Sequence, residues 1–110
     1  SCHWCEVLER ETLSDPEIAK LVNERFIPVL VDREERPDVD DALMTALLSL
    51  TGRGSWPITA FLTPDGKPFD LSAYQPRAEF LQGLKAVQAG WADPATRRDM
   101  ERQGDRVVKA

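Results

Sequence analysis

Cysteine, histidine and excess positive charge are all scarce in this chain. It has 2 cysteines, 1 histidine and 1 tyrosine in 110 residues. A closed structural zinc site needs four ligands, normally from a second C-x-x-C or a histidine pair, and neither is present. Two cysteines also cannot build the multi-bridge framework of a small secreted protein. Its 14 basic residues against 19 acidic ones leave a net charge of −5, which argues against a surface for nucleic acid or anionic lipid. No apolar run is long enough to cross a bilayer, and no repeat or low-complexity tract is present. The chain opens on Ser1 rather than Met. The expectation is therefore a piece of a longer protein whose own N-terminus would carry any address, with a cytoplasmic location as the default.

What remains is ordinary for a globular domain: 42% hydrophobic and 30% charged residues, with 8 Pro and 6 Gly. That length suits one domain able to fold without staples. The scarce residues are concentrated. Ser1-Cys2-His3-Trp4-Cys5 holds both cysteines and the sole histidine.

Helical spacing of Trp4, Val7 and Leu8 predicts a helix from Cys2 to about Leu13. Asp15 and Pro16 mark the start of another, with Ile18, Leu21 and Val22 as its apolar stripe. Phe26–Val31 is apolar and β-branched, so a buried strand is expected there. Asp32–Asp41 is an acidic loop. Asp38 is expected to cap a helix running to about Leu50, stopped by Thr51-Gly52-Arg53-Gly54-Ser55. Ile58–Leu62 and Pro68–Ser72 read as strands joined by the turn Pro64-Asp65-Gly66-Lys67. Phe80, Leu81, Leu84, Val87 and Trp91 mark a further helix, and a polar segment follows Asp93.

Two thiols at C-x-x-C spacing can exchange one disulfide with a partner. The thiolate is the nucleophile, and a helix N-terminus favours it through unpaired N–H groups and the helix dipole. Cys2 at the helix start is therefore the expected attacking thiol, and Cys5, one turn inside, the resolving one. A protonated His3 would favour the Cys2 thiolate, and Glu6 would oppose it. Trp4 is expected to form an exposed wall for a partner; the alternative is a core anchor. Cys2, His3 and Cys5 could also offer soft metal ligands, but only an intermolecular or cluster site would complete the set. The six carboxylates of the acidic loop fit no EF-hand spacing, and Arg33 and Arg36 point instead to internal pairing and helix capping. No metal or cofactor is expected.

The order helix, helix, strand, helix, strand, hairpin strand, helix matches the thioredoxin fold from its active-site helix onward. That is an α/β fold lacking its first strand–helix–strand, with helices packed on a small mixed sheet and a C-terminal β-hairpin and helix. Residues 1–91 would form this domain, incomplete at its N-terminus, and residues 92–110 a polar linker or helical extension.

Three strings sharpen the match: CHWC, NERFIPVLVDREERPDVD and LTGRGSWPITAFLTPDGKPF. They resemble the thioredoxin-like (DsbH-like) domain of the YyaL and spermatogenesis-associated protein 20 family. Two positions differ from that family's usual pattern. Glu6 stands where His usually follows the second cysteine, and Leu71–Pro76 replaces GGTYFP while keeping Tyr74 and Pro76. The resemblance implies a large helical domain covalently linked to this one. It also implies a cis-proline at Pro57 beside the C-x-x-C, with Trp56 offering backbone groups to an extended substrate. Gly52 and Gly54 would let that backbone approach the site, and Tyr74 would line it. The function implied is thiol–disulfide oxidoreduction on a protein or small-molecule disulfide. The rival is a non-catalytic interaction or redox-sensing module of a larger protein.

In a complete thioredoxin sheet a strand leads into the C-x-x-C and separates Phe26–Val31 from Ile58–Leu62. Without it, the 110-residue piece is expected to carry open edges, to self-associate or be unstable, and to place a free Ser1 ammonium beside the motif.

Overall fold

Local signals set most of the elements. The computed structural model describes residues 2–109, so the Ser1 ammonium lies outside the described residues. Helix α1 (His3–Val7) starts at Cys2, whose sulfur accepts from the Cys5 N–H at 3.2 Å, and it runs on as a π-helical segment, Leu8–Leu13. Val7, Leu8 and Thr12 are buried, and the Thr12 hydroxyl has no hydrogen-bond partner among the described residues. Helix α2 (Pro16–Arg25) begins as anticipated, with the Asp15 carboxylate accepting from the Glu17 and Ile18 N–H groups. Arg77 holds the same carboxylate at 2.7 and 3.2 Å and reaches Glu17 at 3.1 Å. These bonds tie the start of helix α4 (Arg77–Ala92) to α2, and they hold the Asp15 carboxyl below the usual carboxylate range, Arg77 being the main cause.

Helix α3 (Pro37–Thr51) corrects one expectation. Its first residue is Pro37, and Arg36 rather than Asp38 occupies the capping position without a side-chain cap. Proline suits a first helical residue because it has no N–H to satisfy. The Asp38 carboxylate is taken by the Arg36 fork, at 3.1 and 3.0 Å. Gly52 ends α3 in the left-handed region at φ 76°, its N–H bonded to the Leu48 carbonyl.

Strands β1 (Thr59–Leu62) and β2 (Pro68–Ser72) pair antiparallel, with Thr59 opposite Ser72 and Phe61 opposite Asp70. Gly66, at φ 86°, allows the tight turn between them. Side chains alternate across this hairpin, so it separates two cores. Phe61 joins Leu8, Ile18, Phe80, Leu81 and Leu84 on one side; Ala60 and Leu71 join Ala46, Leu47 and Val107 on the other. The polar C-terminal segment forms helix α5 (Pro94–Lys109), which packs on β2. There Lys67 bonds Asp105 at 2.6 Å, and Gly104 lies so close to Lys67 that a Cβ would stand 3.2 Å from it.

The buried strand expected at Phe26–Val31 is not formed. Among the described residues the sheet has only β1 and β2, so it is antiparallel rather than mixed. Phe26 packs into the first core and meets Phe61 at 5.7 Å, but Ile27, Val29 and Leu30 are 94%, 76% and 90% exposed. A strand apolar on both faces is stable only between neighbouring strands and under covering layers. No neighbour pairs with this segment or with the outer edge of β1 among the described residues.

A cavity of about 250 Å³ opens beside the hairpin, lined by Phe61, Asp70, Gln75 and Phe80 among others. Partial desolvation there pushes the Asp70 carboxyl above its ordinary value, although the residue as a whole stays solvent-exposed. A carboxyl raised in the folded state opposes folding once the pH exceeds its unfolded value, and the cost fades as the pH falls below that value. Asp70→Asn is therefore expected to raise the thermal midpoint by about 2–4 °C at pH ~7 and by less at pH ~3. Calorimetry of both proteins at the two pH values checks this, and an equal or inverted shift contradicts it.

Candidate active site

The motif is positioned by its own backbone. Cys2 is extended at φ −111°, ψ 116° and serves as the N-cap of α1, while Cys5 lies within the first turn. Their Cα atoms are 5.1 Å apart and the two are joined as a disulfide. Both are half-buried, whereas His3 and Glu6 point to the exposed surface. The Cys5 N–H aimed at the Cys2 sulfur distinguishes the two cysteines.

Trp4 is 50% exposed and stands between the cysteines in sequence. Its indole meets the Tyr74 ring at 4.8 Å with a 40° tilt, and His3 meets the Trp4 ring edge-on at 5.0 Å. Tyr74 packs against the core that contains Leu8 and Phe80. The structure thus joins His3, Trp4 and Tyr74 into one aromatic surface alongside the disulfide.

Trp56 and Pro57 belong to a second constellation. Their peptide bond is cis, Pro57 is buried and Trp56 is partly exposed. The Trp56 indole N–H donates to Asp40 at 2.8 Å, and the Arg33 guanidinium lies 4.4 Å from the ring centroid. Internal pairing and helix capping, the roles expected for Arg33 and Arg36 in the acidic loop Asp32–Asp41, do not include this clamp on Trp56. Its signal is faint: an indole, a carboxylate and an arginine, each common on surfaces, brought together across 16 or more residues. The glycines upstream of Trp56 act locally. Gly52 caps α3, and Gly54 lies where a Cβ would collide with Met44 and Leu48 of that helix.

The whole chain, residues 1–110, matches the family model Thioredox_DsbH, described as a protein of unknown function, DUF255. The chain belongs to this Thioredox_DsbH family. It is 45% identical over 115 residues to the uncharacterized protein B0495.5 of Caenorhabditis elegans, covering 99% of this chain and 16% of that protein. It is 47% identical over 81 residues to spermatogenesis-associated protein 20 of Mus musculus, covering 74% of this chain and 10% of the relative. The human protein of that name is 45% identical over 97 residues, covering 83% and 12%. The Thioredox_DsbH chain thus spans only 10–16% of the length of these relatives. Its architecture is α/β and thioredoxin-like, with five α-helices and one π-helical segment packed with a two-stranded antiparallel sheet among the described residues. Among the described residues no helix is long and apolar enough to cross a membrane.

Proposed function

We propose that this chain is a thiol–disulfide oxidoreductase domain in which Cys2 attacks and Cys5 resolves. The observation that carries the reading is the asymmetry of the pair: Cys2 caps the helix and accepts the Cys5 N–H at 3.2 Å. A thiolate at that position gains from the donor and from the helix dipole, and a thiolate one turn inside gains less. In the reduced state Cys2 attacks a sulfur of the partner disulfide, whose S–S bond breaks. The first partner sulfur leaves as a thiolate and takes a proton from water. The Cys5 thiolate then attacks the Cys2 sulfur and displaces the second partner thiol. The partner gains two electrons, and the Cys2–Cys5 pair, oxidised by two, is reset by a dithiol reductant. The partner is a disulfide of a protein or small molecule. Tyr74, against Trp4, serves as a wall of the site, and the domain works within a larger, helical, cytoplasmic protein.

Catalytic amounts of the chain should accelerate reduction of a protein disulfide by dithiothreitol, and Cys2→Ser should remove the acceleration. Absence of acceleration by the unaltered chain would refute turnover and favour the interaction or redox-sensing module.

A further inference from the structure

We propose that the aromatic surface beside Cys2–Cys5 selects polypeptide disulfides flanked by an aromatic side chain and disfavours small anionic disulfides. This rests on the thiol–disulfide reading above and adds the substrate class. Three observations carry it. Trp4 lies between the two reactive sulfurs in the chain, yet leaves half of its surface to water. An indole on the same helical turn as the disulfide and half open to water is available to a partner bound there.

The ring is also held in place. Tyr74 lies 4.8 Å from it and is itself packed on the Leu8 and Phe80 core, so Trp4 is backed by the fold rather than free to rotate. A preorganised aromatic face loses little entropy when a partner ring settles on it, and aromatic pairs add to the burial they bring. Finally, the charge is unfavourable for a small anion. Glu6 is exposed directly after Cys5, and the chain carries −5 overall. Glutathione disulfide is anionic at neutral pH and presents no aromatic surface.

The electron balance is that of the exchange already described. The dithiol pair supplies two electrons to the peptide disulfide and ends as the Cys2–Cys5 disulfide, and a dithiol reductant restores it.

The test uses the full chain, reduced with dithiothreitol and desalted, in single-turnover reactions. Two peptide disulfides identical except for Phe or Ser beside the half-cystine are compared with glutathione disulfide. The Phe peptide should react about tenfold faster than the Ser peptide, and faster still than glutathione disulfide. Trp4→Ala should bring the Phe-to-Ser ratio close to one. Tyr74→Ala should lower it in part, and Tyr74→Phe, which keeps the ring, should preserve it. A ratio divides out the intrinsic reactivity of Cys2, so a general effect on the thiol does not imitate the result. A ratio near one in the unaltered chain overturns the preference whatever the variants do, as does a ratio unchanged in a folded Trp4→Ala protein. A reduced chain that reacts with none of the three disulfides removes the oxidoreductase reading together with the preference, whereas equal reaction with all three removes only the preference.

Discussion

Cys5→Ser is expected to leave a partner attached to Cys2 as a mixed disulfide that outlives the unaltered intermediate by roughly a thousandfold or more. The reason is geometric. The two Cα atoms are 5.1 Å apart, and the sulfurs are already within bonding reach in the disulfide form. Resolution by Cys5 is intramolecular, with an effective concentration far above that of any free thiol. Serine keeps the side chain's size but is not a nucleophile under these conditions, so only external thiols remain to release the partner. Mass spectrometry of the reduced variant after mixing with a peptide disulfide reads the adduct directly. Cys2→Ser should give none, because its remaining thiol lies inside the first turn without the capping position. An adduct on Cys5 that forms as fast as the one on Cys2 would sink the assignment of roles. No adduct on either cysteine would sink the chemistry itself.

The second large effect concerns association. Lysines in place of Ile27 and Leu30 are expected to weaken self-association of the 110-residue chain by roughly a hundredfold, as measured by sedimentation velocity. Ile27, Val29 and Leu30 are largely exposed on a segment without regular secondary structure, and among the described residues the outer edge of β1 is unpaired. Two copies meeting there would remove apolar surface from water and pair open backbone groups. Each large apolar side chain so buried contributes about 1.5–3 kcal/mol, and two of them account for the hundredfold change. Charged edges are also a common natural device against such pairing. An unaltered chain that stays monomeric at about 100 µM contradicts the premise, and unchanged association of the double variant places the contact elsewhere.

These two expectations come from different levels of organisation. The first was readable from Cys2-His3-Trp4-Cys5 and the helix it starts. Capping at Asp15, the stop at Gly52 and the turn at Gly66 were readable for the same reason. Each depends on bonds between residues two to four apart, which composition and spacing display directly. The start of α3 shows how close the limit lies. Asp38 has the chemistry of a cap, but Arg36 two residues earlier competes for its carboxylate and Pro37 takes the first helical position.

Beyond that range the sequence was silent or misleading. Phe26–Val31 has the composition of a buried strand, but a strand exists only when another segment accepts its backbone bonds and covers its faces. Composition does not say whether that segment is in reach. Nor does it say that Arg33 and Asp40 meet Trp56, or that Tyr74 meets Trp4 some seventy positions away. By itself, then, the sequence determined the C-x-x-C pair, its order along a helix and most local boundaries, because those rest on short-range geometry. Only the tertiary structure decided which aromatic rings stand beside the disulfide, what holds Trp56, and which apolar run is left in water. Those outcomes depend on how the two cores and the hairpin between them bring distant segments together.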